Sequence, residues 1–124
     1  MKIKVLNIIL FLFISSCSTD KEVIKNYSSY DDVKLYNEAL KQLKKKEYSE
    51  AIDTFTELEI QYPYSQWASR GQLMIGFAHY TANEYDEAFL NLSKFVELNP
   101  NHSLIPYAIY LKAYSYFERI PDIS

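Results

Sequence analysis

Apolar residues recur every three to four positions in five segments of the chain from residue 31 onward, which is the spacing of one helix face. These segments predict helices over about 32–45, 48–62, 66–82, 85–98 and 104–119. Asp31 or Asp32 is suited to cap the first helix by accepting N–H bonds from its first turn, and Pro121 is expected to stop the fifth. The pattern therefore predicts an all-α domain.

The helical part of the sequence repeats itself at an offset of 37 residues, because YSEAI at 48–52 returns as YDEAF at 85–89. Ala51, Phe55 and Pro63 follow the A-x3-F pattern with a later Pro that resembles the tetratricopeptide (TPR) repeat. The second copy keeps the pattern with Leu in place of Phe. Such a period indicates a solenoid of helical hairpins.

The period divides the domain into units at about 32–65, 66–102 and 103–124. The third unit has a first helix but no second, so we expect about two and a half repeats and a chain cut from a longer protein. Small residues recur where paired helices are expected to approach closely. They are Ala39, Gly76 and Ala113 on the first helices and Ala51 and Ala88 on the second helices.

Two turn positions are expected to adopt a left-handed backbone. Lys46 and Asn83 stand where many TPR repeats have a glycine between the two helices of a unit. Asn tolerates this conformation, and Lys does so less well.

The N-terminus predicts a secretory leader and a lipid attachment site. Residues 1–4 are basic, and the apolar run at 5–14 is too short to span a bilayer, which needs about 20 residues. The run ends in Ser15, Ser16 and Cys17, which resembles the lipobox of bacterial lipoproteins. We expect a signal peptide over 1–16, a lipid on Cys17 and a polar tether over 17–30. An ordinary signal peptide with an accidental Cys, or an uncleaved anchor, remains the alternative.

Composition excludes several functional classes. The 124 residues carry 13 Lys+Arg against 16 Asp+Glu, and this acidic balance argues against a nucleic-acid module. One Cys and two widely spaced His argue against a disulfide framework or a zinc centre. No phosphate-binding Gly loop or GxSxG motif is present. We therefore expect no enzyme, no metal and no cofactor apart from the covalent lipid on Cys17.

The first helices of such units are expected to line a concave groove. Tyrosine suits an extended peptide ligand there, because its rigid ring buries area at low entropic cost. The predicted groove residues are Tyr36, Leu40, Lys44, Arg70, Leu73, Phe77, Tyr80, Tyr107, Tyr110 and Tyr114. The alternative interpretation of each aromatic residue in this set is a core position, which is the more common role of an aromatic residue at helical spacing. Arg70 and Lys44 are candidates to pair, at the same rim, with a peptide's terminal carboxylate.

A lysine cluster, comprising Lys41, Lys44, Lys45 and Lys46, closes the first predicted helix. Its ordinary interpretation is a solvated helix end favoured by the helix macrodipole. A contact with phospholipid headgroups is the alternative interpretation.

Several extended turns carry a more specific resemblance. YPYS at 62–65, NPNH at 99–102, YAIYL at 107–111 and IPDIS at 120–124 stand in this order behind the lipobox. The sequence from Cys17 onward is similar to the BamD family of outer membrane protein assembly factors. That resemblance implies an outer-membrane lipid anchor, a periplasmic location and a non-enzymatic role in a complex that folds and inserts β-barrel proteins.

The resemblance also implies the partners. In the family, the N-terminal half of five repeats is thought to receive the substrate's C-terminal targeting strand, and the C-terminal half docks the barrel subunit. Expected partners are the barrel subunit and accessory lipoproteins of the Bam complex, unfolded β-barrel substrates and the membrane, but no nucleic acid. The alternative is another periplasmic TPR adaptor lipoprotein that coordinates cell-wall or division machinery.

Overall fold

A computed structural model describes residues 26–120, and these form five α-helices and no strand. The helices are α1 (Asp32–Lys44), α2 (Tyr48–Gln61), α3 (Gln66–Thr81), α4 (Tyr85–Leu98) and α5 (Ile105–Glu118). Each lies within one or two residues of its predicted bounds, so the all-α prediction is confirmed. The predicted signal peptide, Cys17 and Pro121 lie outside the described residues. Among residues 26–120, no helix has the length and apolarity required to cross a membrane.

The helices form two layers of a TPR-like solenoid. Each helix packs on the next one in the chain, and α3 also touches both α1 and α5. The first helices of the units, α1, α3 and α5, therefore lie side by side in one layer, with α2 and α4 in the other. Because successive helices alternate in direction, α1, α3 and α5 run parallel to one another.

The core consists of two clusters that meet at α3. One cluster is built around Leu35, Phe55 and Leu58, and the other around Leu92 and Phe95. Phe55 and Leu92 are the matching residues of the two A-x3-F patterns, and both side chains are completely buried. The repeat seen in the sequence is thus a repeat of core positions.

Four of the five small residues expected at helix contacts are buried in the packing between helices. Ala39, Ala51 and Ala88 are fully buried, and Gly76 lies against α4. Ala113 differs because it is exposed. Among the described residues no second helix follows α5, so nothing covers this face.

The two predicted turn positions are confirmed. Lys46 has φ 63° and Asn83 has φ 62°. The N–H of Glu47 reaches back to the Gln42 carbonyl at 3.0 Å, and the N–H of Glu84 reaches back to the His79 carbonyl at 2.9 Å. These bonds satisfy the last carbonyls of α1 and α3, which offsets the cost of a left-handed non-glycine residue.

Helix α1 begins as the sequence predicts, but the folded part starts earlier. Asp31 accepts the Lys34 N–H at 2.7 Å and so caps the helix. Residues 27–30, which the prediction placed in the tether, form a strap packed on the first core cluster through Tyr27 and Tyr30. The predicted tether therefore extends too far. Two isolated aromatic residues in a polar stretch have no periodicity to reveal them.

Candidate functional site

The ten predicted groove residues all lie on α1, α3 and α5, and one group of them lies around Trp67. The Tyr36 and Trp67 rings lie 4.9 Å apart between centroids, and the Arg70 guanidinium carbon lies 5.0 Å from the Trp67 ring centre. The Tyr36 ring also meets Phe55 edge-on at 5.6 Å. Arg70 itself is exposed, so its charge stays available above the aromatic pair.

Burial and charge act in opposite directions on the Tyr36 hydroxyl. Burial raises the pKa of Tyr36 above its usual value, and the nearby positive charge of Arg70 lowers it in part.

Sequence reasoning missed Trp67 as a site residue. It is the one tryptophan of the chain and stands three positions before Arg70, one helical turn away, and that spacing was the signal available.

A second group gathers tyrosines from α3, α4 and α5. The Tyr80 and Tyr85 rings are 5.7 Å apart, and the Tyr110 and Tyr114 rings are 5.3 Å apart. Burial raises the pKa of Tyr80, and further contributions come from Glu118, Tyr85, Tyr114 and Tyr110. Tyr85 and Glu118 thus influence the Tyr80 hydroxyl, although no pattern in the sequence marks them as site residues.

The tyrosines of α5 form the open part of this group. Tyr107 is 41% exposed, Tyr110 58% and Tyr114 45%. Burial raises the pKa of Tyr107, with a smaller contribution from Tyr110. The three phenol groups stand in a row on a half-open surface, where each ring offers an apolar face and one polar tip.

The prediction that Leu73 lines the groove is wrong. Its side chain is 2% exposed and belongs to the second core cluster together with Ala108 and Leu111 of α5. The middle helix α3 is flanked on both sides, so α5 covers this position. Four other predicted groove residues are half-buried and pack against the core clusters: Tyr36, Leu40, Phe77 and Tyr80.

Lys44 and Arg70 do not share a rim, which corrects a second expectation. Lys44 is the last residue of α1, whereas Arg70 lies in the second turn of the parallel helix α3. The repeat matches Lys44 to Thr81, and Thr81 is eleven residues beyond Arg70. At 1.5 Å per residue their backbone positions are about 16 Å apart along the helix axes.

Two shallow depressions lie elsewhere on the surface. One is lined by residues from the ends of α2 and α4 and the start of α3, including Glu59, Ser69 and Asn99. The other lies between the α3–α4 turn and the end of α5, and its lining includes Glu84 and Arg119. None of the ten predicted groove residues lines either depression. Among residues 26–120, no group of three His, Cys, Asp or Glu side chains could hold a metal ion.

Adjacent helical hairpins that repeat the same core positions define a TPR-like repeat protein. A family model described as "YfiO: Outer membrane lipoprotein" matches residues 28–124, and the chain belongs to this family. The predicted resemblance is thereby confirmed.

Curated relatives agree with this assignment. The chain is 43% identical over 90 residues to "Outer membrane protein assembly factor BamD" of Caulobacter vibrioides, which covers 73% of this chain and 30% of that protein. It is 37% identical over 90 residues to the protein of the same name from Rickettsia prowazekii, covering 73% and 36%. For that of Neisseria meningitidis serogroup B it is 34% over 115 residues, covering 90% and 43%. The chain thus spans about a third to two fifths of the length of these relatives.

Proposed function

We propose that this chain acts, without catalysing a reaction, in the assembly of β-barrel proteins into the outer membrane. Support comes from the family of outer membrane lipoproteins to which it belongs and from relatives named outer membrane protein assembly factor. A lipid on Cys17 would hold it on the periplasmic face of the outer membrane, because more than one acyl chain gives stable anchoring. The covalent lipid is the one non-protein group this function requires.

The groove supplies the binding step of this proposal. The observation that carries it is the row of half-open tyrosines on α5, Tyr107, Tyr110 and Tyr114, of which Tyr110 and Tyr114 lie near Tyr80 on α3. An extended peptide laid along α3 and α5 would bury these rings while its backbone bonds their hydroxyls. The ligand in this proposal is the unfolded C-terminal segment of a β-barrel substrate.

Other subunits would be located at the same membrane as this chain. The proposed partners are the barrel subunit and the accessory lipoproteins of the Bam complex. The binding of substrate and the docking of these partners are separate properties, since the proposed groove occupies the layer of first helices alone.

The first test is depletion of the natural-length protein in its host. We expect a selective loss of outer-membrane β-barrel proteins relative to a lipoprotein that has no barrel. Unchanged barrel levels would overturn the proposal and point to another client, such as cell-wall or division machinery.

A binding assay tests the groove itself. Peptides that copy the C-terminal strand of a barrel protein are titrated against the wild-type chain and the Tyr110→Ala and Tyr114→Ala variants. We expect each variant to weaken binding about fivefold or more, because each removes an aromatic contact of over ~1 kcal/mol. Tyr116→Ala is the matched control, since Tyr116 is on the same helix but packs on Phe89, 5.9 Å away. An equal loss in all three variants would contradict the assignment of the groove.

A further inference from the structure

The strap is fastened to the first hairpin at both of its ends. At one end the Tyr27 hydroxyl lies 2.9 Å from Thr54 Oγ1 on α2 and accepts a bond from Gln42 Nε2 on α1 at 3.4 Å. At the other end the Tyr62 hydroxyl donates to the Tyr30 carbonyl at 2.8 Å. The chain preceding Tyr27 is therefore attached to the folded domain at one defined place beside this hairpin.

Gln42 connects that place to the turn between α1 and α2. Its side chain is buried, at 1% exposure, and meets Tyr27. Its carbonyl oxygen accepts the N–H groups of both Lys45 and Glu47, each at 3.0 Å. One residue thus joins the strap to the turn that contains the lysine cluster.

The lysine cluster presents positive charge to solvent. All four side chains, Lys41, Lys44, Lys45 and Lys46, are exposed. Lys41 has Glu38 as a neighbour at 3.9 Å, and the other three form no ion pair among residues 26–120. Ammonium groups in this arrangement are attracted to an anionic lipid surface once they lie within a Debye length of it, about 8–10 Å.

Chain length brings the cluster near a membrane whenever Cys17 is anchored there. Ten residue steps separate Cys17 from Tyr27, and covalent geometry limits them to about 33–36 Å. The strap attaches the segment from Cys17 to Tyr27 to the domain beside the lysine cluster, and not beside α5 with its tyrosines.

We propose that the strap and the lysine cluster together form a membrane-docking surface for anionic phospholipid headgroups. This inference rests on the proposed lipid anchor at Cys17. The surface orients the solenoid, because the first hairpin lies toward the bilayer while α5 and its tyrosines are held away from it. The proposed groove then stays open to a substrate that arrives from the aqueous side.

The single cysteine makes a direct test practical. The mature chain, starting at Cys17, is coupled through its thiol to a maleimide lipid in vesicles of phosphatidylcholine, with or without phosphatidylglycerol. Lysine acetylation is then followed by mass spectrometry. We expect Lys44, Lys45 and Lys46 to react about fivefold more slowly on the anionic vesicles, and to recover in high salt.

Two lysines of the later units are internal controls, one exposed and one half-buried. Lys94 on α4 and Lys112 on α5 should react equally on both vesicle types. Equal reactivity of the lysine cluster on the two vesicles would overturn the proposal. Equal protection of all lysines would also overturn it, since a uniform effect needs no docking surface.

The role of the strap is tested by two variants. Tyr27→Ala with Tyr30→Ala should release the strap and reduce the protection of the lysine cluster, with circular dichroism and melting as checks of the fold. A long Gly/Ser insertion before Asn26 leaves the strap and the domain intact, and should also reduce protection by lengthening the tether. Undiminished protection in the insertion variant would contradict the proposed geometry. Chemical anchoring bypasses natural acylation and barrel assembly, so failure here leaves the proposed function standing.

Discussion

Gly76 and Leu92 approach so closely that a Cβ atom built on Gly76 would lie 2.6 Å from Leu92 Cγ and 2.7 Å from Leu92 Cδ2. Leu92 is completely buried in the second core cluster, so its side chain has no open space to move into. The helix pair α3–α4 therefore depends on the missing side chain at position 76. Glycine stands here for close packing, since its backbone φ is not positive.

Gly76→Ala is expected to destabilise the domain despite the better helix propensity of alanine. Overpacking costs about 1–3 kcal/mol, and alanine recovers about 1 kcal/mol of that in a helix. The free energy of unfolding, measured by urea denaturation, should fall by up to about 2 kcal/mol.

The matched control for this variant is Gly71→Ala on the same helix. A Cβ there would meet Phe55 Cδ1 at 3.3 Å and Leu58 Cδ2 at 3.4 Å, which a small side-chain adjustment relieves. We expect a change of under about 1 kcal/mol, in either direction. Equal stabilities for the two variants would contradict the assigned contact.

Tyr27→Phe tests the fastening of the strap. The change removes the hydroxyl that lies 2.9 Å from Thr54 Oγ1 and 3.4 Å from Gln42 Nε2, while the ring keeps its packing. Thr54 also donates to the Glu50 carbonyl at 2.8 Å, so it keeps a partner. We expect a loss of about 0.5–1 kcal/mol in the free energy of unfolding.

Tyr64→Phe is the control for the strap variant. Tyr64 is 100% exposed, so removal of its hydroxyl should leave the urea midpoint unchanged. If Tyr27→Phe also left the midpoint unchanged, the strap would not be fastened through this hydroxyl.

The internal repeat explains how much of the fold the sequence could predict. Aligning Lys46 with Asn83 placed both in glycine-like turn positions, and both have positive φ. Periodicity works here because the same local bonds close each hairpin. The strap has no second copy and no helical period, so Tyr27 and Tyr30 could not be distinguished from the polar residues around them.

The candidate site was harder to predict, because one repeat position can have two environments. Leu73 and Tyr110 are matched by the 37-residue offset, yet Leu73 is 2% exposed and Tyr110 is 58% exposed. The difference arises because α5 packs over α3, whereas no later helix among the described residues packs over α5. Sequence spacing gives the position of a residue on its own helix, while exposure depends on the neighbouring helix.

The raised pKa of Tyr80 predicts a loss of stability at high pH. Burial is the main cause, with contributions from Glu118 and three tyrosines, and the folded protein therefore holds this proton more tightly than the unfolded chain does. The contribution is fully present below the usual tyrosine pKa of about 10 and is lost as the pH rises through the higher folded value. Urea midpoints measured upward from pH 9 should fall less steeply in Tyr80→Phe than in the wild type.

Tyr64 again supplies the comparison for this pH dependence. The Tyr64→Phe variant removes a phenol that is 100% exposed, and its urea midpoints are compared with those of the wild type over the same pH range. Identical slopes for Tyr80→Phe and the wild type would show that this hydroxyl does not link folding to pH. Tyr36 and Tyr107 also have a raised pKa, so part of the slope should remain in Tyr80→Phe.

Arg70→Gln is expected to separate peptides by their C-terminal charge. The guanidinium lies over Trp67 and is the exposed cation of the Tyr36–Trp67 end of the groove. If it pairs with a terminal carboxylate, the variant should bind a free-acid peptide about five- to tenfold more weakly, for a loss of ~1–1.4 kcal/mol. The same peptide with an amidated C-terminus should bind the wild type and the variant alike. Lys44→Gln is the matched charge control. Lys44 lies about 16 Å from Arg70 along the helix axes, so this variant should keep the wild-type preference for the free-acid peptide. Discrimination lost in Lys44→Gln and kept in Arg70→Gln would place the peptide's C-terminus at the opposite end and reverse its direction along α3.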